Sequence, residues 1–209
     1  KRGFKMTDLP LIPLPPSDSP EPGFVVLGRF QPFHNGHAAM IINAEAYRLE
    51  NFPELKLIIA VGSSNRPQTL KNPWSESERM EMILYWLDNE ANIDAKIVSI
   101  PDIEDPPNWV SHAERYHGES GVFFSSDLTS SELYESSKWP VISMPLVERE
   151  RFEGWRVRET ARMLSTINDD NAIKMILGQS VPETIIDFLI SNDCLKRLAF
   201  LGEGGEPVG

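Results

Sequence analysis

The 209-residue chain holds 31 acidic against 20 basic residues, a formal charge of −11, and is 41% hydrophobic. That charge argues against broad nucleic-acid binding, which needs a basic surface, but not against a nucleotide, because a phosphate pocket needs only a few local positive groups. The single cysteine, Cys194, rules out an internal disulfide or a cysteine metal cluster, and no apolar run reaches the length of a membrane span. Beside Phe188-Leu189-Ile190 and Leu195, this cysteine reads as buried packing. The N-terminus lacks a charged-then-apolar leader pattern, so a cytoplasmic protein is expected. A lysine at position 1 suggests processing or truncation there.

Six prolines between Pro10 and Pro22 disfavour regular helix or sheet over residues 1–22. The segment reads as a linker or expression remnant or, as the second choice, an extended arm laid over the domain or a neighbouring subunit. Phe24–Leu27 is short, apolar and β-branched enough for a first buried strand. A tight turn follows, then a helix from Ala38 onward with an apolar face. Leu55–Val61 is a second strand, ending at Gly62-Ser63-Ser64. Beyond the loop Asn65–Trp74, Ser75 and Glu78 form a capping-box pattern for a helix with Met80, Ile83, Leu84 and Leu87 as expected core. Ala95–Ile100, Gly121–Phe124 and Pro140–Ser143 read as three further strands. Trp155–Leu164, Asp170–Leu177 and Val181–Leu198 read as helices, the last with Pro182 in its first turn. Strands alternating with helices predict an α/β fold, a Rossmann-like parallel sheet with helices on both faces and a helical C-terminal part. One domain over residues 23–200 is expected, with residues 201–209 a flexible tail.

The turn after the first strand is the most informative stretch: Gly28-Arg29-Phe30-Gln31-Pro32-Phe33-His34-Asn35-Gly36-His37. Gly28 and Gly36 permit tight backbone and close approach by a ligand. His34 and His37 stand at the mouth of a helix, where amide donors and the dipole favour anions. Arg29 adds a forked cation suited to phosphate oxygens. Together they describe a phosphate site.

In these residues the chain resembles the His-x-Gly-His nucleotidyltransferases, most closely the archaeal-type nicotinamide-nucleotide adenylyltransferases. The resemblance runs from about Gly23 to Leu198 and implies the nucleotidyltransferase fold. It implies that His34, His37 and Arg29 contact ATP phosphates, with Gly28 and Gly36 beside them. The family's Gly-Ser after the second strand stands here as Gly62-Ser63, and its basic-Asn-Pro-aromatic loop as Lys71-Asn72-Pro73-Trp74, followed by Glu78-Arg79. Lys71 occupies an ATP-binding position but lacks an arginine's planar fork. Asp102-Ile103-Glu104 and Trp109-Val110 match the family's nicotinamide end, where an indole face can stack on a cationic pyridinium and a carboxylate adds favourable charge. With Gly62 and Ser63, Asp102 and Trp109 are the expected nicotinamide-nucleotide contacts. The Trp109 position reads as a polar rim loop.

Two stretches depart from the family. Its Ser-Gly-Thr-x-Ile/Val-Arg stands as Glu153-Gly154-Trp155-Arg156-Val157-Arg158, keeping Arg158 but placing a carboxylate where triphosphate is expected. Its Ser-Gly-Asn stands as Ser125-Ser126-Asp127, leaving Ser125 as the ATP contact. The implied function is adenylyl transfer from ATP to nicotinamide mononucleotide, giving NAD and pyrophosphate. Arg29, His34, His37 and Arg158 would form the catalytic set, and Mg²⁺ would be bound mainly through the phosphates. A homo-oligomer, dimer or hexamer, is implied, with no nucleic acid or membrane partner. The alternatives are transfer with a different donor or acceptor, and a nicotinamide-nucleotide-binding regulatory protein with a degenerate ATP site.

Overall fold

Five apolar runs become strands β1 (Gly23–Gly28), β2 (Lys56–Val61), β3 (Lys96–Ser99), β4 (Val122–Ser125) and β5 (Val141–Ser143). All four pairings are parallel, in the order β3-β2-β1-β4-β5. The computed structural model describes residues 9–144 and 153–201; residues 1–8 and the predicted tail beyond 201 lie outside the described residues. The seven helices among the described residues are α1 (Asn35–Asn51), α2 (Glu76–Trp86), α3 (Trp109–His117), α4 (Leu128–Ser136), α5 (Gly154–Leu164), α6 (Asp170–Leu177) and α7 (Glu183–Ser191). The chain divides into two compact units. One comprises Lys1–Gly28, Asn43–Arg66 and Ala95–Pro145; the other comprises Arg29–Ile42, Pro67–Asp94 and Leu146–Gly209.

The first unit contains the sheet. Side chains alternate along each strand, so Val25, Ile58, Ala60 and Phe123 face one way, into a core with Val110, Ala113 and Tyr116 of α3 and Tyr134 of α4. Phe24 and Phe124 face the other way and meet Tyr47 of α1 and Phe52. A sheet covered on both faces needs apolar residues at every position, which explains the unbroken runs in β1 and β2. Within the first core, Phe123 and Tyr134 lie parallel with ring centroids 3.7 Å apart. The Tyr134 hydroxyl donates to His117 Nε2 at 2.7 Å, while His117 Nδ1 donates to the Gly118 carbonyl at 2.8 Å. Among the described residues, no helix is long and apolar enough to cross a membrane.

The second unit is helical. Ser75 accepts the Glu78 amide and Glu78 reaches back to the Ser75 amide, so the predicted capping box starts α2. Its buried stripe is Arg79, Met82, Ile83 and Trp86. Ile83 and Leu87 are core as expected, but Leu84 is 45% exposed and Met80 half-buried, because the stripe runs one residue off the predicted register. A π turn, Leu87–Ala91, ends at left-handed Asn92. The expected helix over Val181–Leu198 breaks in two: α7 ends at Ser191, Asp193 turns left-handed (φ 53°), and a 3₁₀ turn occupies Lys196–Ala199. Asp is among the few residues that enter this conformation readily. Cys194 is buried within the break.

Candidate functional site

The β1 strand ends at Gly28, and the turn that follows belongs to the helical unit. Its left-handed residue is Phe30 (φ 49°) rather than a glycine. For a bulky side chain this is an uncommon conformation that costs of order 1 kcal/mol. The Phe30 ring is held against Phe33 and His37, at centroid distances of 5.9 and 4.7 Å. Helix α1 begins at Asn35, three residues before the predicted start, so Gly36 and His37 lie in its first turn. The Asn35 amide donates to the Ser180 carbonyl at 2.8 Å, so not every donor at this helix end is open to an anion.

The two imidazoles stack, 3.6 Å between centroids and 20° between planes. The His37 Nδ1 accepts the His34 amide at 3.3 Å. That bond places the neutral ring's proton on Nε2. Burial, and secondarily the Arg158 charge, lowers His34 to about 4; burial and His34 hold His37 well below the usual histidine range. His37 keeps partial surface access, yet its ring is enclosed by Phe30, Phe33 and His34. Both are therefore neutral donors or acceptors at pH 7 rather than cations.

Three guanidinium groups gather on the same turn. Arg158 Nη1 donates to the Gln31 carbonyl at 2.7 Å, and Arg79 Nη1 to the Arg29 carbonyl at 2.7 Å. Arg29 itself donates to Asn72 Oδ1. Burial first, and the Arg29 charge second, lowers Arg79 to about 10 and pulls Arg158 below its ordinary value. The Gln31 side chain donates to the Trp74 carbonyl (2.7 Å) and accepts the Trp74 amide (3.1 Å), fastening the Lys71 loop to this turn. Lys71 itself is exposed. Sequence reasoning gives Gln31, Asn72 and Arg79 no role; an amide side chain set between Phe30 and Pro32-Phe33 is the signal that could have marked Gln31.

The Glu153 carboxylate accepts from Trp155 Nε1 at 2.8 Å and Arg156 Nε at 3.0 Å, with the Arg156 guanidinium 4.7 Å above the Trp155 ring. The two departures from the family motif thus satisfy each other.

The sheet unit contains the other predicted residues. Gly62 closes the ladder by donating to the Gly28 carbonyl at 2.9 Å. Asp102 is held from four sides: Ser63 Oγ donates to it at 3.4 Å, Arg66 Nη2 at 2.7 Å, the Glu104 amide at 3.3 Å, and Asn65 exchanges two bonds with its backbone at 2.8 and 2.9 Å. Burial alone would raise the Asp102 pKa; the Arg66 and Glu104 hydrogen bonds outweigh it and hold the carboxyl below its usual range. Arg66 also binds Glu104 at 2.6 Å. Trp109 is not in a loop: Pro106–Asn108 form a 3₁₀ turn, and Trp109 opens α3, half-buried. Proline pre-sets the φ this turn needs. His112, one turn on, lies 5.9 Å from the Trp109 ring, and its Nε2 donates to the Pro101 carbonyl at 2.9 Å. Ser125 is buried at the end of β4, where its hydroxyl accepts the Asp127 amide (2.9 Å) and donates to the Asp127 carbonyl (3.2 Å); Asp127 caps α4. Arg66 and His112 escape sequence reasoning because only the fold brings them to Asp102 and Trp109.

The Cytidylyltransferase-like family matches residues 25–117. A nicotinamide-nucleotide adenylyltransferase of Thermococcus sibiricus is 31% identical over 84% of this chain and 87% of its own. One from Haloarcula marismortui is 30% identical over 87% and 93%, and one from Thermoplasma acidophilum 28% identical over 88% and 93%. The fold is similar to that of a bifunctional NMN adenylyltransferase/ADP ribose pyrophosphatase from Francisella tularensis, with TM-score 0.60 and 24% identity over 83% of this chain and 51% of the other. This chain thus spans about half of that longer protein. The same protein, complexed with AMP and a manganese ion, gives TM-score 0.53 at 25% identity, covering 81% and 52%. On this sequence relationship, extending over nearly the whole length of its archaeal relatives, the chain belongs to the nicotinamide-nucleotide adenylyltransferase family.

Proposed function

We propose that this protein is an enzyme that transfers the adenylyl group of ATP to nicotinamide mononucleotide, forming NAD and pyrophosphate. The observation that supports this most directly is the stacked, neutral His34–His37 pair beside the Arg29, Arg79 and Arg158 guanidinium groups. Such a cluster is stabilised by a polyanion, which relieves the mutual repulsion of its cations.

In the reaction, a phosphate oxygen of the mononucleotide bonds to the α-phosphorus of ATP. The bond from that phosphorus to the bridging oxygen breaks, and pyrophosphate leaves with its electron pair. No protein nucleophile is needed, so the protein contributes positioning and charge stabilisation. His37 Nε2–H and His34 would address the transferring phosphoryl oxygens, Arg29 and Arg158 the departing ones, with Gly28 and Gly36 leaving the backbone close by. Lys71, exposed on its loop, would reach the outer phosphates, and Ser125 would be a further ATP contact, as the resemblance implies. Asp102 would favour the cationic pyridinium and Trp109 would stack on it, with Gly62 and Ser63 supporting the turn beneath.

A divalent cation, Mg²⁺ by preference, would enter as part of the ATP complex. That cation would be held mainly through the phosphates of ATP. Residues 23–200 would act as one nucleotidyltransferase domain in a cytoplasmic homo-oligomer, dimer or hexamer. A binding-only role gains no support from Glu153, because Arg156 and Trp155 engage its carboxylate. The test incubates the protein with ATP, Mg²⁺ and nicotinamide mononucleotide and follows both products. Equal formation of NAD and pyrophosphate is expected. Neither product, with mononucleotide binding intact by calorimetry, would leave the binding-protein reading in its place.

A further inference from the structure

We infer that the proline-rich segment ahead of β1 is a strap that positions the mononucleotide half of the site. The inference rests on the reading above that Asp102 and Trp109 receive the mononucleotide.

A segment with this many prolines lacks amide donors at those positions but keeps every carbonyl as an acceptor. The sheet unit supplies the matching donors. Ser64 Oγ donates to the Ile12 carbonyl at 3.0 Å, and the Tyr116 hydroxyl donates to the Pro13 carbonyl at 2.9 Å. Leu11, Ile12 and Leu14 remain largely exposed, so side-chain burial does not account for the placement. Further along, the backbone of the segment passes against Gly118, at the end of α3: a Cβ added there would lie 2.4 Å from the Glu21 carbonyl oxygen. Gly118 also has φ +90°, so any other residue would be both strained and in collision. The segment therefore has a shaped seat at one end and two hydroxyl ties at the other.

The two ties fall on the two elements that hold the proposed mononucleotide contacts. Ser64 lies between Ser63 and Asn65, both of which hydrogen-bond Asp102. Tyr116 is one turn from His112, at 5.2 Å between rings. His112 in turn packs on Trp109 and donates to the carbonyl of Pro101, the residue before Asp102. One strap thus spans the β2 turn and α3, and it restrains the spacing between carboxylate and indole. Prolines lower the entropy lost when such a segment is fixed, so two carbonyl ties suffice to order it.

The test compares the full chain, a chain lacking residues 1–16, and Ser64→Ala and Tyr116→Phe in each background. Tyr116→Phe keeps the ring packing and removes only the tie. Mononucleotide affinity is read by calorimetry, and KM for ATP and for the mononucleotide by product formation. In the full chain each substitution is expected to weaken mononucleotide binding by about five-fold, with KM for ATP unchanged. In the shortened chain, already weakened, neither should have a further effect. The strap is overturned if the shortened chain binds mononucleotide like the full one, if the substitutions cost as much without residues 1–16 as with them, or if both KM values rise together. Failure of the functional reading looks different: the full chain itself would then form no NAD.

Discussion

From a side chain only 2% exposed, Arg79 Nη1 donates to the carbonyl of Arg29 across 2.7 Å. Its Nε donates to the Ser75 carbonyl at 3.2 Å. One guanidinium therefore fixes the turn that presents Arg29 and the start of α2. Arg79→Met keeps most of the volume and leaves both carbonyls without these donors. We expect about 2 kcal/mol of lost stability in urea denaturation. A larger proportional loss is expected in kcat/KM for ATP, because Arg29 would no longer be held. Unchanged ATP kinetics would mean that Arg29 needs no such support.

His37 presents its Nε2–H because Nδ1 is occupied by the His34 amide. His37→Ala removes a donor aimed at charge that develops during transfer, and such donors are worth roughly a hundred-fold or more in turnover. The KM for mononucleotide should change little. Steady-state kinetics with both substrates varied separates the two; a changed KM with intact turnover would assign His37 to binding instead.

Glu153 and Trp155 replace the serine and threonine of the family motif, yet their side chains bond to each other and to Arg156. Replacing the pair by Ser and Thr should therefore leave ATP turnover within about three-fold of the native rate, since the carboxylate charge is already compensated at a partly exposed site. A sharp rise in turnover would show that the native pair obstructs ATP.

His117 is fully buried, and burial lowers it to about 4 from an ordinary 6.5. The unfolded chain takes up this proton first as pH falls, so the stabilisation is complete above about pH 6.5 and is lost progressively down to about pH 4. In the limit the loss is about 3 kcal/mol from this group. His34 and His37 shift in the same direction and steepen the fall. His117→Gln should be less stable at neutral pH, having lost the Tyr134 and Gly118 bonds, and should show a shallower decline between pH 6.5 and 4 by urea denaturation. An unchanged slope would place the titration elsewhere.

The sheet was legible because both-face burial writes itself as unbroken apolar runs, as in Phe24–Leu27 and Leu57–Val61. The α2 cap was legible because Ser75 and Glu78 act locally. What escaped was whatever depends on the third dimension. Trp109 looked like a loop residue because two prolines precede it, yet those prolines build the 3₁₀ turn that leads into α3. The Ser125 hydroxyl bonds to Asp127, two residues on, an arrangement that its spacing alone does not announce. Arg66, His112 and the acceptors of the N-terminal segment gain their meaning from partners 11 to 103 residues away.

The carboxylate of Glu78 answers to two parts of the chain. It accepts the Ser75 amide at the head of α2, and it takes a two-pronged contact from Arg197 at 2.8 and 2.5 Å. A sequence that loses Arg197 leaves a partly buried carboxylate without its cation, and one that loses Glu78 strands the guanidinium and removes one of the two bonds of the capping box. Positions 75, 78 and 197 should therefore drift together among descendants of this chain, a correlated history spanning more than a hundred residues that one shared side chain imposes.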